Sequence, residues 1–401
     1  MEKLSPEETI LCSILNGKTF DTKLPEEIWE SVYKLTRLYN LLPLIFHKIK
    51  QLKLALPEKT ESKFKKDYLW FVSKDLQRKK QLYELIKLLN ENDIDHILLK
   101  GSHIAETIYK NSALRTMSDI DILINKADFE KAYKTLSKEG YRNSTSNIAD
   151  SELLPYKDKH FNPLIKDGCI PVEFHWNIHR AYDYNKIQSL WKRAVSVNIN
   201  SLKTKVLSTE DLLIHICVHK GCDDDFISSL VMLSDIKEIE STITLDWDKV
   251  YDLTLSEWHN TKSIFSALYL YNKLLAGNIS DEFLKKIKPD DFSEEIEALL
   301  IRQVFSTRKV DLSTLNTFNA VSKIREKSNP LYIFRYLMSP RRLCLRYDRK
   351  FSVAILPYLY CRRILEKTAE ALKLLSGSSK EKGETYNELK TSYKLKKWLE
   401  D

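Results

Sequence analysis

The chain has 401 residues, of which 43% are hydrophobic and 30% charged, so it can bury a sizeable core in two or three domains or lobes. Only 8 residues are glycine, which argues against Gly-rich nucleotide-binding folds and for a helix-rich structure. The net charge of +8 is concentrated: residues 335–367 carry nine Lys or Arg against two acidic residues, a net +7, which leaves +1 for the rest.

Three features bear on the compartment. No apolar run approaches the roughly 20 residues needed to cross a bilayer. The first eight residues, MEKLSPEE, are acidic and polar, unlike a secretory signal. The six cysteines are scattered without a CxxC pair, which predicts free thiols in a reducing environment. We therefore expect a cytoplasmic protein.

The first 91 residues are predicted to form an N-terminal helical lobe. Ser5 can cap a helix that has Pro6 at its first position and Glu8 at the position that completes a capping box. Helical periodicity then continues to about residue 90, and it is clearest in the amphipathic pattern of residues 82–89.

Residues 92–204 are predicted to form a small α+β core. Short β-rich runs occupy residues 97–99, 120–124, 161–165 and 172–178. One apolar helical face lies between the second and third runs, over residues 129–136, and Gly140 is suited to end that helix. The expected fold class is therefore α+β: a small mixed sheet embedded in a mostly helical protein.

The remaining chain is predicted to be helical from Thr209, as a C-terminal lobe over residues 205–376. Residues 377–401 would form a polar linker and a short terminal helix. His215 and His219 share a helical face near Cys222, but they lack the further ligands of a zinc site, so we interpret them as packing residues. The acidic run at residues 223–225 is predicted to be a solvated loop.

The segment most informative about chemistry is LKGSHIAETIYKNSALRTMSDIDIL, residues 99–123. A strand ending at Lys100, a Gly-Ser turn and a short helix precede a second strand, which opens with Asp119 and Asp121. Side chains alternate along a strand, so the two carboxylates should project from one face about 6–7 Å apart. Such carboxylates repel each other unless a cation lies between them. Mg²⁺ is the natural partner because it prefers oxygen ligands and can bind carboxylate and phosphate oxygens at the same time.

The turn before this strand pair has the features of a phosphate site. Gly101 lets the backbone approach an anion closely, and the helix that follows Ser102 offers free N–H groups. Lys100 and Arg115 can add positive charge, although Arg115 can equally be a structural ion-pair partner.

The Gly-Ser turn and the Asp-x-Asp strand resemble the polymerase-beta-like nucleotidyltransferase superfamily. The chain looks, more narrowly, like an uncharacterised bacterial nucleotidyltransferase-like family whose members often occur beside genes for surface polysaccharide or peptide natural-product synthesis. The residues that carry this resemblance are Leu99-Lys100-Gly101, Tyr109, Arg115, Asp119-Ile120-Asp121-Ile122-Leu123, Gly140-Tyr141 and Val172-Glu173-Phe174-His175-Trp176. The sixteen residues between Ser102 and Asp119 are a longer spacer than most of the superfamily has.

The resemblance implies a catalytic site and a reaction. Asp119, Asp121 and a third carboxylate, Glu173, would hold Mg²⁺ or Mn²⁺ against a nucleoside triphosphate. A hydroxyl acceptor would attack the α-phosphate as pyrophosphate leaves, and Glu173 would complete the metal shell or help to deprotonate that hydroxyl. His175 shares a strand face with Glu173 and would contact nucleotide or acceptor, unless it is a half-buried histidine bonded to the backbone.

Two alternatives from other functional classes stay open. The first is a nucleotidyltransferase fold that has lost catalysis and serves as a binding or scaffolding protein. The second is a nucleic-acid-binding protein that uses the basic segment 335–367, which could also meet a lipid-linked phosphate at a membrane surface. Neither nucleic acid nor membrane is the favoured partner.

Overall fold

The computed structural model describes residues 4–20, 24–144, 159–179, 182–306, 352–376 and 392–400, together with positions 340, 343, 344, 347 and 390. The chain divides into two compact units. The first comprises residues 1–142 and 155–307, and the second comprises residues 143–154 and 308–401. The sequence-based boundaries at residues 91, 204 and 376 stay predictions.

Four helices precede the sheet, as the periodicity predicts. Their bounds are α1 Pro6–Leu15, α2 Glu26–Leu38, α3 Leu42–Gln51 and α4 Glu58–Glu91. The predicted capping box is confirmed: Ser5 Oγ accepts from the backbone N–H of Glu8 at 3.2 Å, and the Glu8 carboxylate accepts from the Ser5 N–H at 2.8 Å. The last three turns of α4 bury the apolar face predicted for residues 82–89.

The described residues form a seven-stranded mixed sheet, which confirms the α+β class. The strands are β1 His96–Leu98, β2 Ile120–Ile124, β3 Arg142–Asn143, β4 Leu164–Ile165, β5 Val172–His175, β6 Val195–Ile199 and β7 Leu202–Val206. Their order is β3-β4-β5-β2-β1-β7-β6. Strand β1 pairs antiparallel with β2 and parallel with β7, whereas β2 runs parallel to β5. The central strand β2 is buried along its whole length, so a charged side chain on it needs partners within the protein.

The predicted strands differ from the observed ones at their ends. The run at 161–165 contributes only Leu164–Ile165, and β5 ends at His175, three residues before the predicted end. The β6–β7 hairpin is absent from the prediction, although Val195, Val197 and Ile199 alternate with polar residues in the pattern of a strand. Its two-residue turn uses Asn200 and Ser201 at φ of 48° and 64°, the left-handed conformation for which Asn-Gly is the usual sequence.

Further helices follow the first four along the chain. Their bounds are α5 Lys100–Thr107, α6 Phe129–Lys138, α7 Ile187–Arg193, α8 Thr209–Asp224, α9 Leu230–Thr242, α10 Trp247–Leu253, α11 Thr261–Leu275, α12 Asp281–Ile287, α13 Glu294–Phe305 and α14 Leu356–Ser376, the last in the second unit. The solvated loop predicted at residues 223–225 is wrong, since α8 continues through Asp224. Asp225, at φ 49°, ends the helix while 2% exposed.

The second unit is described in part. Leu343, Cys344 and Leu359 form a small hydrophobic cluster, and the Arg362 guanidinium lies 4.5 Å from the centre of the Tyr347 ring. Residues 392–400 are helical, as predicted, whereas the linker at 377–383 and much of the basic segment lie outside the described residues. All six cysteines are free thiols, which confirms that prediction. No helix within the described ranges is long and apolar enough to cross a membrane.

Candidate active site

The acidic site is assembled by the parallel pairing of β2 and β5. In that register Asp121 lies directly opposite Glu173, and Leu123 lies opposite His175. Because side chains alternate along a strand, Glu173 and His175 share the sheet face of Asp121. The ligand atoms of Asp121, Glu173 and His175 all lie within 4.8 Å of one another. The structure therefore brings together two of the three predicted carboxylates and the predicted histidine.

Asp121 is the most buried carboxylate of the group, at 3% exposed. Its Oδ1 accepts hydrogen bonds from Lys100 Nζ at 2.7 Å and from His175 Nε2 at 2.7 Å. Burial alone would raise the pKa of Asp121, but the Lys100 ammonium and the His175 hydrogen bond outweigh it and hold the pKa well below its usual value. Burial opposes the charge of Lys100, yet Asp121 raises its pKa. Asp121 and Lys100 thus form a buried ion pair.

Asp119 and Glu173 carry the remaining acidic charge. Asp119 directly precedes β2 and is half-buried, so its carboxylate is more accessible than that of Asp121. Burial and the neighbouring Asp121 raise the pKa of Asp119 to about 6 and that of Glu173 to about 7. Asp121, Glu173 and the His175 nitrogen are a donor set that fits a divalent cation. Asp119 is not part of this close group, but it is near enough to raise the pKa of Glu173.

His175 is fully buried. Its Nε2 lies 3.7 Å from Glu173 Oε2 in addition to its contact with Asp121. Its Nδ1 has no hydrogen-bond partner among the described residues. Burial and the nearby Lys100 lower the pKa of His175 to about 3, so the imidazole is neutral near pH 7. The side chain is therefore bonded to a carboxylate, and the alternative of a half-buried histidine bonded to the backbone does not describe it.

The predicted Gly-Ser turn is the first turn of α5, which begins at Lys100. Lys100 itself makes the corner between β1 and the helix, at a left-handed φ of 46°. Gly101 packs closely on Met117, because a Cβ atom at Gly101 would lie 3.3 Å from the Met117 Cβ. Ser102 is 1% exposed, and its hydroxyl lies 3.9 Å from the Met117 sulfur. Lys100, and not Gly101, therefore takes the left-handed conformation at this turn, whereas Gly101 allows close packing against Met117.

Arg115 lies in a buried ion pair beside the site. Its Nε donates to both carboxylate oxygens of Asp235, at 2.8 and 2.9 Å. The Tyr109 hydroxyl lies 3.0 Å from the same Asp235 Oδ1. This cluster connects the segment before β2 to α9. The positive charge of Arg115 also offsets part of the rise in the pKa of Asp119 that burial causes. Arg115 thus has the structural partner that the sequence left open, within electrostatic range of the site.

A second polar cluster, which we call the α8 cluster, consists of Lys159, His219 and Asp223. Lys159 Nζ donates to Asp223 Oδ2, and His219 Nδ1 lies 2.8 Å from the same oxygen. The Lys159 carbonyl accepts from the N–H of the two residues after β5, which places it at the end of that strand. Burial lowers the pKa of both Lys159 and His219, and the positive charge of Lys100 lowers it further. One feature of the sequence points to this cluster: His215 and His219 are four residues apart on one helical face.

A cavity of about 430 Å³ adjoins the entrance of β2 and β5. Part of its lining, residues 115–117 and 168–170, ends two residues before Asp119 and Val172. Neither the three carboxylates of the site nor His175 are among its lining residues. Trp70 and Phe71 of α4 contribute aromatic surface to it. Its volume lies within the range of small-molecule binding sites.

The geometry agrees with the comparison to known protein families. A family model described as uncharacterised nucleotidyltransferase matches residues 25–276, more than half of the chain. A search of curated proteins gave no match. The matched range contains α2 to α11 and every strand of the sheet, hence the whole acidic site. The chain belongs to this family of uncharacterised nucleotidyltransferases.

Proposed function

We propose that the protein is a metal-dependent nucleotidyltransferase that transfers a nucleoside monophosphate from a nucleoside triphosphate to a hydroxyl acceptor. The observation that carries the proposal is the register of β2 and β5, which sets Asp121 opposite Glu173, with Asp119 directly before β2. The mutual effect of these carboxyl groups on their pKa values supports the same arrangement.

Asp119, Asp121 and Glu173 would hold Mg²⁺ or Mn²⁺. The bound ions would neutralise phosphate charge and stabilise the leaving pyrophosphate. Glu173 is more exposed than Asp121, so it is the carboxylate better placed to take the proton of the acceptor hydroxyl. The oxygen of the acceptor hydroxyl would form a bond to the α-phosphorus. At the same time the bond between the α-phosphorus and the oxygen that bridges to the β-phosphorus would break, which releases pyrophosphate.

The remaining predicted residues would position the triphosphate. Lys100 would move its ammonium from Asp121 to a phosphate, and the N–H groups of Gly101 and Ser102 at the start of α5 would face the same anion. Arg115 would add positive charge from its place beside Asp119, and His175 would lie next to the metal. The adjoining cavity offers aromatic surface for the nucleoside.

The biological setting is part of the proposal. We propose a cytoplasmic enzyme, which the six free thiols support. The resemblance described above suggests an acceptor from surface polysaccharide or natural-product synthesis.

One observation favours the alternative of a fold that has lost catalysis. Lys100 Nζ lies 2.7 Å from Asp121 Oδ1 and already neutralises the charge of Asp121, which a bound metal ion would otherwise do. Such a protein would bind triphosphate weakly or without metal, and it would release no pyrophosphate. An assay of pyrophosphate release therefore distinguishes an active nucleotidyltransferase from a protein that has lost catalysis.

The test is pyrophosphate release from each of the four ribonucleoside triphosphates with Mg²⁺ or Mn²⁺, using water and candidate hydroxyl compounds as acceptors. We expect Asp119→Asn to lower the rate at least about 100-fold, since it removes a charged metal ligand. Asp95→Asn is the matched control, because Asp95 is 51% exposed and pairs with Lys205 at the surface. Equal rates for wild type and Asp119→Asn with every nucleotide would contradict the proposal.

A further inference from the structure

We infer that His175 is itself a metal ligand, and that Asp121, Glu173 and His175 form a mixed oxygen–nitrogen site that selects Mn²⁺ over Mg²⁺. The inference rests on the proposed function, because the ion concerned is the one that would serve the triphosphate. It goes beyond that function by adding a nitrogen donor to the carboxylates and by naming the preferred metal.

The distances fit one ion. In an octahedral shell with bonds of 2.0–2.1 Å, neighbouring ligand atoms are about 3 Å apart and opposite ones about 4 Å apart. His175 Nε2 lies 2.7 Å from Asp121 Oδ1 and 3.7 Å from Glu173 Oε2. The Asp121 and Glu173 ligand oxygens lie within 4.8 Å of each other, so side-chain adjustments could bring the three atoms around one centre. The Lys100 ammonium, now on Asp121 Oδ1, would be displaced in the process.

The burial of His175 is the second argument. A fully buried imidazole is normally held by hydrogen bonds at both nitrogens, but its Nδ1 has no partner among the described residues. Its orientation is instead fixed by Nε2, which points between two carboxylates. Without a metal ion the proton lies on Nε2, which donates to Asp121. A bound cation would take the place of that proton, which would then reside on Nδ1, so that the Nε2 lone pair is free to bind the metal.

The donor chemistry sets the preference. Carboxylate oxygens serve Mg²⁺ and Mn²⁺ alike, but imidazole nitrogen binds transition metals better than the harder Mg²⁺. A cluster of three carboxylates would leave the two ions nearly equivalent. Replacing one oxygen position by Nε2 therefore shifts the balance towards Mn²⁺.

A neighbouring histidine provides the control. His160 Nδ1 lies 4.0 Å from Glu173 Oε2, and its ring centre lies 5.2 Å from that of His175. The same Nδ1 lies 2.7 Å from the Phe161 carbonyl, so it is engaged by the backbone and turned away from ligation. His160 and His175 thus sit in similar surroundings and differ in the availability of the nitrogen that faces Glu173.

The decisive test is pulsed electron paramagnetic resonance of Mn²⁺ bound to the full chain. Wild type should show nitrogen modulation, and ¹⁵N-histidine labelling should change it to the ¹⁵N pattern, a readout that requires no variant. His175→Gln, which can still donate to Asp121, should lose the modulation, whereas His160→Gln should keep it. Absence of histidine modulation from wild type, or its persistence in His175→Gln, would overturn the inference.

Calorimetry gives an independent measure of selectivity. The ratio of the Mg²⁺ and Mn²⁺ dissociation constants should fall roughly tenfold from wild type to His175→Gln and stay unchanged in His160→Gln. An unchanged ratio in His175→Gln would also overturn the inference. The pyrophosphate assay distinguishes failure of this inference from failure of the proposed function. Pyrophosphate release by a protein that shows no nitrogen modulation would refute this inference alone. Nitrogen modulation in a protein that releases no pyrophosphate would refute the enzymatic function alone.

Discussion

The ammonium group of Lys100 lies where a divalent cation would otherwise face Asp121. Both side chains are largely buried, and the charge of each depends on the other. Removing one partner of such a pair leaves an uncompensated buried charge, which typically costs about 3–5 kcal/mol. The site therefore has two ways to neutralise Asp121: an internal cation when metal is absent and an external one when metal is bound.

At this scale we predict that Lys100→Met lowers the free energy of unfolding by about 3 kcal/mol in EDTA. Mn²⁺ should restore more stability to the variant than it adds to wild type, because the metal replaces the lost ammonium. Denaturant titrations with and without Mn²⁺ measure both effects. The control Lys205→Met breaks an exposed pair with Asp95 and should cost less than about 1 kcal/mol. A Lys100→Met variant as stable as wild type in EDTA would show that the pair is unimportant.

Among structural elements, the segment before β2 is held to α9 by the ion pair of Arg115 and Asp235. Asp235 is almost fully buried and accepts from both Arg115 and Tyr109. This connection fixes the entry of β2, and with it Asp119, relative to the helices. Arg115 can therefore matter for stability, for nucleotide binding, or for both.

Two variants separate these roles. Asp235→Ala should destabilise the protein by about 3–5 kcal/mol, since it leaves the guanidinium unpaired. The double variant Arg115→Met with Asp235→Leu should recover much of that loss. If Arg115 also draws the triphosphate, the double variant should bind it about tenfold more weakly, or about 1.4 kcal/mol, in calorimetry. Unchanged affinity in a stable double variant would make Arg115 a purely structural residue.

The elements that the sequence predicts well are those with a complete local pattern. The capping box of α1 and the buried run of β2 each combine a periodicity with a boundary signal. The β6–β7 hairpin has the periodicity of a strand pair but lacks the boundary signal, because its Asn-Ser turn has no glycine. The corner at Lys100 was misplaced by a residue or two because a glycine stands next to it, and sequence reasoning assigns a left-handed conformation to glycine first.

The candidate site shows the same limit. Asp121 and Glu173 belong to a recognisable motif, and the resemblance was enough to bring them together. Lys159 and Asp223 meet only because the end of β5 packs near α8, a long-range contact that no local pattern reports. The hydrogen bond between His175 and Asp121 also depends on the strand register, which the sequence alone does not specify.

At the scale of the whole molecule, the salt dependence of binding distinguishes a nucleotidyltransferase from a nucleic-acid-binding protein. Residues 335–367 carry most of the net positive charge, whereas the acidic site belongs to the other compact unit. Binding of nucleic acid through six to ten phosphate contacts would weaken by about 10³–10⁵ between 50 and 200 mM salt. A triphosphate held by metal in a half-buried site is screened much less.

We therefore predict that the triphosphate dissociation constant changes less than about tenfold over that salt range. Calorimetric titrations at the two salt concentrations measure it, with a single-stranded oligonucleotide as the comparison ligand. Tight oligonucleotide binding that falls steeply with salt and survives Asp119→Asn would instead identify the chain as a nucleic-acid-binding protein.

The central claim is that a metal ion between β2 and β5 holds the triphosphate. Its most direct test is calorimetric titration of a non-hydrolysable triphosphate into wild type and Asp121→Asn, each with Mn²⁺ and with EDTA. We expect wild type to bind the triphosphate with Mn²⁺ and to lose affinity by at least about 100-fold in EDTA, and we expect the same loss in Asp121→Asn. Equal affinity with and without metal, or an Asp121→Asn variant that binds as well as wild type, would contradict it.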